Sequence, residues 1–284
     1  MEAYRIHATG NTARPQALEF FAGIGLARLG LEEAGFHVEW SNDIDTAKCE
    51  MYRNNFGDTP DHTLVEGDMS DLNGVDLPHD ASLAWGSSPC TDLSLAGARA
   101  GLNGRQSGAF WQYMRLLGEL GDSRPPVAVL ENVNGLATSH SGEDLASAVR
   151  AFNELGYSVD VLSIDSRRFV PQSRPRLFLV GLQNPPSVEQ FDSSLRPDWL
   201  QQVFADSSLR THRAPLPEPP SPLMSGFGLY AEQMEEDDPR WWDEERTAGF
   251  LDSLSPVQAA RVEMLRQETV ISYRTAYRRT RNGK

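Results

Sequence analysis

Cysteine is scarce in this 284-residue chain, which contains only Cys49 and Cys90. Two thiols are too few for a disulfide framework or for a zinc site with four cysteine ligands. Long apolar stretches are absent as well, since no window reaches the roughly 18 consecutive apolar residues of a transmembrane helix. The N-terminal residues do not show the basic and then apolar pattern of a secretion signal. Together these absences predict a cytoplasmic protein with no membrane span and no bound metal.

Basic residues are outnumbered by acidic ones, and the formal net charge is −14 at pH 7. A protein that binds nucleic acid without sequence preference needs clustered cations to neutralise phosphates, so this balance argues against that class. The charge is uneven along the chain, however. Residues 232–245 contain eight acids and one arginine, whereas residues 270–284 contain five cations and no acid. An acidic average therefore does not exclude a local surface that binds DNA.

A glycine turn follows the first apolar segment of the chain. Residues 17–21 predict a strand, Ala22-Gly23-Ile24-Gly25 comes next, and residues 26–34 have apolar side chains at helical spacing. Residues 36–40 alternate between apolar and polar, which predicts a second strand, and the acid Asp43 lies just beyond it. This is the order of elements in a nucleotide-binding βαβ unit.

The details of the glycine turn favour a cofactor without phosphates. In dinucleotide-binding folds, glycines let the ligand approach the backbone, and an acid about 20 residues further on binds ribose hydroxyls. Asp43 lies 20 residues beyond Gly23, but Arg28 stands where a pyrophosphate binder has its third glycine. S-adenosylmethionine therefore fits the pattern better than NAD does. An ordinary tight turn in a fold of this class is the alternative interpretation.

Reactive side chains also follow two later apolar runs. The run at residues 81–85 is broken by glycine, serines and Pro89, which leaves Cys90 in a loop at the end of a predicted strand. Ligands bind at this end of an open α/β sheet, and a thiolate attacks electron-poor carbon atoms. A small buried apolar residue is the alternative role for such a cysteine. The apolar run at residues 127–130 leads directly into Glu131, where an unpaired buried carboxylate would be costly.

Predicted strands and helices alternate through most of the first two thirds of the chain. This pattern predicts an α/β fold with a doubly wound, mainly parallel sheet. Five prolines lie between Pro215 and Pro222 and mark a linker. We therefore predict a polar lead-in over residues 1–16 and a catalytic and cofactor-binding domain over residues 17–190. Residues 191–284 would form a linker and an irregular or helical appendage, the start of a partial recognition region.

With these motifs in order, the chain resembles the DNA cytosine-5 methyltransferases over about residues 18–181. The resemblance implies a Rossmann-like methyltransferase fold that binds S-adenosylmethionine, acting on double-stranded DNA from which the target cytosine is flipped. It rests on these segments: Phe21-Ala22-Gly23-Ile24-Gly25, Asn42-Asp43-Ile44-Asp45, Gly67-Asp68-Met69, Pro89-Cys90, Glu131-Asn132-Val133 and Gln172-Ser173-Arg174-Pro175-Arg176.

The resemblance also implies catalytic roles. The Cys90 thiolate would add to C6 of the cytosine, so that C5 can take the methyl group. Glu131 would bind N3 and the exocyclic amine of the base, and Arg176 its O2 atom. Arg174 would support the loop or a phosphate.

A second group of residues is implied to bind the cofactor. The methyl donor would lie over Phe21 and Gly23, with Asp43 on the ribose, Ile44 against the adenine and Asp68 on the adenine amine. The remaining expected cofactor residues are Ala22, Gly25, Met69 and Pro89.

The chain departs from the family pattern at several positions. Thr91 replaces the usual glutamine after the nucleophile, and Glu19 and Leu26 replace an aspartate and a glycine. The residues before Pro89 read Gly86-Ser87-Ser88 instead of a glycine-proline run. We find neither of the two closing motifs of the family, which predicts the catalytic front half of an enzyme.

Three functions are consistent with this pattern. The first is a cytosine-5 DNA methyltransferase of a restriction-modification or defence system, with a second subunit that supplies the missing motifs. The second is a catalytically inactive remnant or regulatory protein that keeps the fold. The third is an RNA cytosine-5 methyltransferase.

Overall fold

The structure is a computed structural model that describes residues 14–89, 108–224, 226–235 and 237–268. The chain separates into two units by its internal contacts. The first, the sheet unit, comprises Met1–Asp165 and Arg174–Pro220, and the second comprises Ser166–Ser173 and Ser221–Lys284. Within the described residues, no helix is both long enough and apolar enough to cross a membrane.

Seven strands form the sheet of the first unit. They are β1 (Gln16–Phe20), β2 (His37–Asp43), β3 (Thr63–Glu66), β4 (Leu83–Gly86), β5 (Val127–Val133), β6 (Ser158–Asp165) and β7 (Pro175–Leu182). Their spatial order is β3-β2-β1-β4-β5-β7-β6. Strands β1 to β5 pair in parallel, whereas β7 is antiparallel to both β5 and β6. The prediction of an α/β fold with a mainly parallel sheet is confirmed.

Helices connect the parallel strands and cover the sheet. The sheet unit contains α1 (Leu26–Glu33), α2 (Thr46–Phe56), α3 (Ala109–Glu119), α4 (Glu143–Glu154) and α5 (Gln201–Ala205). Helix α3 is anchored to the sheet, because five of its side chains are buried and the Tyr113 hydroxyl donates to the main-chain oxygens of Ala84 and Val129. It thereby fixes the alignment of β4 and β5, whose carboxyl ends carry the predicted catalytic residues.

The segment after β7 returns to the sheet unit. The guanidinium of Arg196 is buried and donates to both carboxylate oxygens of Asp160 on β6, over 2.8 and 2.5 Å. Such a pair is stable in the interior only because its charges and hydrogen bonds are matched. These contacts belong to the first unit, whose second segment ends at Pro220, and the domain bound at residue 190 stays a prediction.

The second unit contains the helices α6 (Glu244–Asp252) and α7 (Pro256–Arg266). The start of α7 is fixed by its sequence: Ser255 and Gln258 form a capping box, and Pro256 occupies the first turn. None of the described residues of this unit is buried. Packing within the unit therefore contributes little to its stability.

Candidate active site

A cavity of about 300 Å³ opens at the carboxyl ends of the strands. Strands β1 and β4 are neighbours there, although the chain visits β2 and β3 between them. In open α/β sheets ligands bind at such a point, where the strand order reverses. The cavity is lined by Phe21, Gly23, Asn42, Asp43, Ile44, Lys48, Gly67, Asp68, Met69, Ser87, Pro89, Ala109 and Gln112.

All of the expected cofactor residues line this cavity except Ala22 and Gly25. Ala22 is buried, and its amide donates to the main-chain oxygen of Asn42. Three residues in the lining, Lys48, Ala109 and Gln112, were missed because they belong to helices outside the quoted motifs.

The glycine turn is strained in a way that suits close approach of a ligand. Phe21 has φ of 59°, which is unusual for a residue with a side chain, and Gly23 and Gly25 have φ of 58° and 86°. A Cβ atom at Gly23 would meet no atom within 4 Å, whereas one at Gly25 would lie 2.2 Å from Cε2 of Phe56. Gly23 therefore borders open space, and Gly25 is required by the packing of α2.

Asp43 holds the turn from the neighbouring strand. Its Oδ2 atom accepts a hydrogen bond from the Gly23 amide over 2.8 Å, and its Oδ1 atom accepts one from the Asp45 amide over 2.9 Å. An ionised carboxylate has about four acceptor positions, so each oxygen retains capacity for a further donor such as a ribose hydroxyl. The carboxylate is thus oriented before any ligand binds.

Two of the predicted catalytic residues meet at the ends of β5 and β7. The Nε atom of Arg176 lies 2.9 Å from the Oε1 atom of Glu131, and each side chain is 20% exposed. This exposure leaves the pair accessible to a substrate while its orientation is fixed. Arg174 lies just before β7, and its amide donates to Asp165. Cys90 lies outside the described residues.

Asn132 connects the Glu131 strand to the segment that leads into Cys90. Its Nδ2 atom donates to the main-chain oxygen of Ser88 over 2.9 Å and lies 3.2 Å from the Ser88 hydroxyl. Both residues are buried. The neighbouring Ser87 hydroxyl accepts a hydrogen bond from Trp85. Side-chain hydrogen bonds thus hold both serines that replace the family's glycine-proline run.

The described residues contain no group of three or more His, Cys, Asp or Glu side chains that could hold a metal ion. The site instead provides a carboxyl group paired with an arginine at the end of β5, and a cavity lined by both polar and apolar groups.

Comparison with known proteins identifies a family of enzymes. The model of the C-5 cytosine-specific DNA methylases matches residues 16–249. The Type II methyltransferase M.NgoFVII of Neisseria gonorrhoeae is 32% identical over 173 residues, which cover 60% of this chain and 44% of the relative. The Type II methyltransferase M1.ScrFI of Lactococcus lactis subsp. cremoris is 31% identical over 193 residues, which cover 67% of this chain and 47% of the relative. The chain thus spans about half the length of the curated relatives it matches.

Two solved structures share the fold. The Dnmt2 methyltransferase of S. pombe has a TM-score of 0.50 at 22% identity and aligns with 69% of this chain and 57% of its own. A DNMT2 mutant of Spodoptera frugiperda has a TM-score of 0.55 at 18% identity and aligns with 78% of this chain and 61% of its own.

Proposed function

The chain belongs to the C-5 cytosine-specific DNA methylase family, and from that premise we propose that it transfers a methyl group from S-adenosylmethionine to C5 of cytosine in DNA. The observation that carries the proposal is the pairing of Glu131 with Arg176 at the end of β5. The neighbouring strand in the sheet, β4, is the one that leads along the chain toward Cys90. The Type II methyltransferases among its relatives support a role in a restriction-modification or defence system.

Methyltransferases of this family use S-adenosylmethionine, and the cavity at the strand ends suits a ligand of that kind. The open space next to Gly23 leaves the backbone accessible, and the Asp43 carboxylate retains capacity to accept hydrogen bonds from hydroxyl groups. Asp68 and Met69 follow β3 on the far side of the cavity, near Ile44. When bound, S-adenosylmethionine supplies an electrophilic methyl group.

The protein's own groups would make cytosine reactive. Carbon C5 of cytosine is a poor nucleophile. Addition of the Cys90 thiolate forms an S–C6 bond, while Glu131 donates a proton to N3 and keeps the ring from accumulating negative charge. The enamine-like C5 would then take the methyl group as its bond to the sulfonium sulfur breaks and leaves a thioether, and loss of the C5 proton would expel the Cys90 thiolate while N3 returns its proton to Glu131. Arg176 orients Glu131 and contacts the base oxygen. The base has to leave the duplex for this contact.

Covalent trapping tests this mechanism. A DNA duplex with 5-fluorocytosine blocks the final proton loss, so wild-type protein with S-adenosylmethionine should yield a protein–DNA adduct that survives denaturing electrophoresis. Cys90→Ser should yield none. Cys49→Ser is the matched control: this other cysteine is buried, and its thiol donates to the main-chain oxygen of Asp43, so it should retain the adduct.

Assays of methyl transfer and of cofactor binding separate the other candidate functions. Transfer RNA should accept no methyl group under conditions in which duplex DNA does; the reverse result would establish an RNA substrate. Absence of both the adduct and S-adenosylmethionine binding would indicate a non-catalytic remnant. None of the comparisons supports a second subunit, and that prediction is tested by adding the product of an adjacent gene to the same assay. The cytoplasmic location also stays a prediction.

A further inference from the structure

The carboxyl group of Glu19 is completely buried behind the glycine turn. Its Oε1 atom accepts a hydrogen bond from the amide of Arg28 over 3.0 Å. Its Oε2 atom accepts from the hydroxyls of Ser41 and Tyr52, over 2.8 and 3.1 Å. These donors belong to α1, β2 and α2, respectively. Glu19 on β1 therefore joins the three elements that surround the turn.

The three oxygen atoms in this cluster form a closed ring. The hydroxyl oxygens of Ser41 and Tyr52 lie 2.8 Å from each other, and either can be the donor. Three contacts require three protons, but the two hydroxyls supply only one each. An ionised Glu19 would leave two lone pairs facing each other across one contact. A protonated Glu19 contributes the third proton, so that every oxygen donates once and accepts once.

The nearest cation is already paired with another acid. The Nε atom of Arg28 lies 2.7 Å from Glu32, and its guanidinium stacks on the ring of Phe56. The only contact between the Arg28 guanidinium and the three ring oxygens is a long hydrogen bond, 3.4 Å, from its Nη1 atom to the Tyr52 hydroxyl. The charge balance around Glu19 therefore also favours the neutral acid.

Glu19 also acts as a cap for α1. Arg28 is the third residue of that helix, and such amides have no partner within the helix. The N-cap position is Gly25, which has no side chain to fill this role. The bond from the Arg28 amide to Glu19 therefore fixes the beginning of α1, and with it the end of the turn that contains Phe21 and Gly23.

We propose that Glu19 is a positioning residue that works as a neutral acid: its proton completes the ring with Ser41 and Tyr52, and loss of that proton loosens the turn and weakens cofactor binding. The identity of the ligand, S-adenosylmethionine, rests on the proposed function. The ring itself does not.

The direction of the pH effect follows from burial. Desolvation raises the pKa of Glu19 from 4.5 to about 7, although the hydrogen bonds from Ser41, Arg28 and Tyr52 act in the opposite direction. Because the pKa of Glu19 is higher in the folded state than its unfolded value of 4.5, the protonated acid stabilises the folded protein. This contribution to the free energy of unfolding is complete below pH 4.5. That contribution decreases as the pH rises and is lost through about pH 7. Cofactor affinity should fall over the same interval.

Other titratable groups around the ring do not reproduce this effect. On α2, burial raises the pKa of Tyr52, which therefore stays neutral. His62 stacks on the Tyr52 ring, and burial lowers its pKa, so it is already deprotonated where Glu19 titrates. Of the charged residues on α1, Arg28 and Glu32 form an ion pair with each other, and Glu33 is exposed.

Glu19→Gln is the decisive variant. Its amide nitrogen donates to both hydroxyls and its carbonyl oxygen accepts the Arg28 amide, so it stays neutral at every pH, with one hydroxyl proton left to point out of the ring. Calorimetry should show wild-type affinity for S-adenosylmethionine falling roughly three- to tenfold between about pH 6 and about pH 8.5. The Gln variant should show no such decrease. Glu33→Gln, on the exposed side of α1, and His62→Gln are matched controls that should keep the wild-type profile.

A second readout does not require the cofactor. The melting temperature of Glu19→Gln should exceed that of the wild type, by a difference that grows as the pH rises. Ser41→Ala leaves only the contact between Glu19 and Tyr52, for which the proton of the Tyr52 hydroxyl suffices. This substitution should therefore reduce the pH dependence of the melting temperature. A pH-independent difference in melting temperature would overturn the proposal, even if the protein binds S-adenosylmethionine. Absence of binding at every pH would refute the proposed function instead, while the melting temperatures would still decide the role of Glu19.

Discussion

Alanine substitutions at the two glycines of the turn should affect different properties: Gly25→Ala mainly the stability of the fold, and Gly23→Ala mainly ligand binding. Gly25→Ala places a side chain at φ of 86°, which costs about 1–2 kcal/mol for a residue other than glycine. Its Cβ atom would overlap the Phe56 ring at 2.2 Å, and overpacking of this kind costs about 1–3 kcal/mol more. The free energy of unfolding should therefore fall by about 2–5 kcal/mol. At roughly 2–4 °C per kcal/mol, this corresponds to a lower melting temperature of roughly 4–20 °C.

Gly23→Ala should act on the ligand instead. Its φ of 58° imposes the same backbone cost of about 1–2 kcal/mol, but the added Cβ meets no protein atom within 4 Å. The methyl group would project into the space next to the cavity. We therefore expect S-adenosylmethionine affinity to fall at least tenfold, with a smaller loss of stability than in Gly25→Ala.

Urea denaturation and calorimetry distinguish the two effects. The midpoint of unfolding should be lower for Gly25→Ala than for Gly23→Ala at an unchanged slope. In a double-mutant cycle, Gly25→Ala should be less costly when Phe56 is also replaced by alanine, since the overlapping ring is gone. Equal destabilisation by the two glycine substitutions, or additive effects of Gly25→Ala and Phe56→Ala, would contradict this account of the turn.

Two further substitutions test the rest of the sheet unit. Asp160→Asn leaves the buried Arg196 without its charged partner and should lower the free energy of unfolding by about 3–5 kcal/mol in denaturant titrations. Arg240→Gln, which removes the two ion pairs of an exposed arginine in the second unit, should leave the unfolding midpoint unchanged. Asn132→Ala should slow methyl transfer on the order of 100-fold, because Ser88 loses its anchor and the residues leading into Cys90 shift. Its S-adenosylmethionine affinity, measured by calorimetry, should fall as well, because Ser87 and Pro89 of the same segment line the cavity, and a wild-type rate of transfer would argue against this role.

The sequence predicts the strands well where both sheet faces are covered. Residues 127–130 form a continuous apolar run because β5 lies inside the sheet, and the polar Glu131 and Asn132 mark its functional end. Helix α2 was missed, since its sequence has few apolar residues and little periodicity. A local signal existed: Asp45 caps α2 by accepting hydrogen bonds from the amides of Ala47 and Lys48.

The residues Ser141-Gly142-Glu143-Asp144 have the pattern of a cap for α4, but the structure does not form that cap, for a physical reason that the sequence hides. Ser141 precedes the helix as a capping serine would, but its φ is 59°, and the N-cap is Gly142, which makes no side-chain cap. The first-turn acid Asp144 instead accepts hydrogen bonds from Ser139 and His140. The reversed backbone before α4 depends on these contacts, and a pattern of residue types does not reveal them.

The segment between β4 and Cys90 shows how the cofactor side and the base side of the site are connected. Side chains in an extended segment point alternately to opposite sides. Ser87 and Pro89 line the cavity, whereas Ser88 is bonded to Asn132 on the strand that carries Glu131. In the proposed mechanism, this three-residue segment therefore links the cavity of the methyl donor to the strand that carries Glu131. Its serines can replace a more rigid glycine-proline run because each is held by a side chain, and a shift of this segment should disturb both sides together.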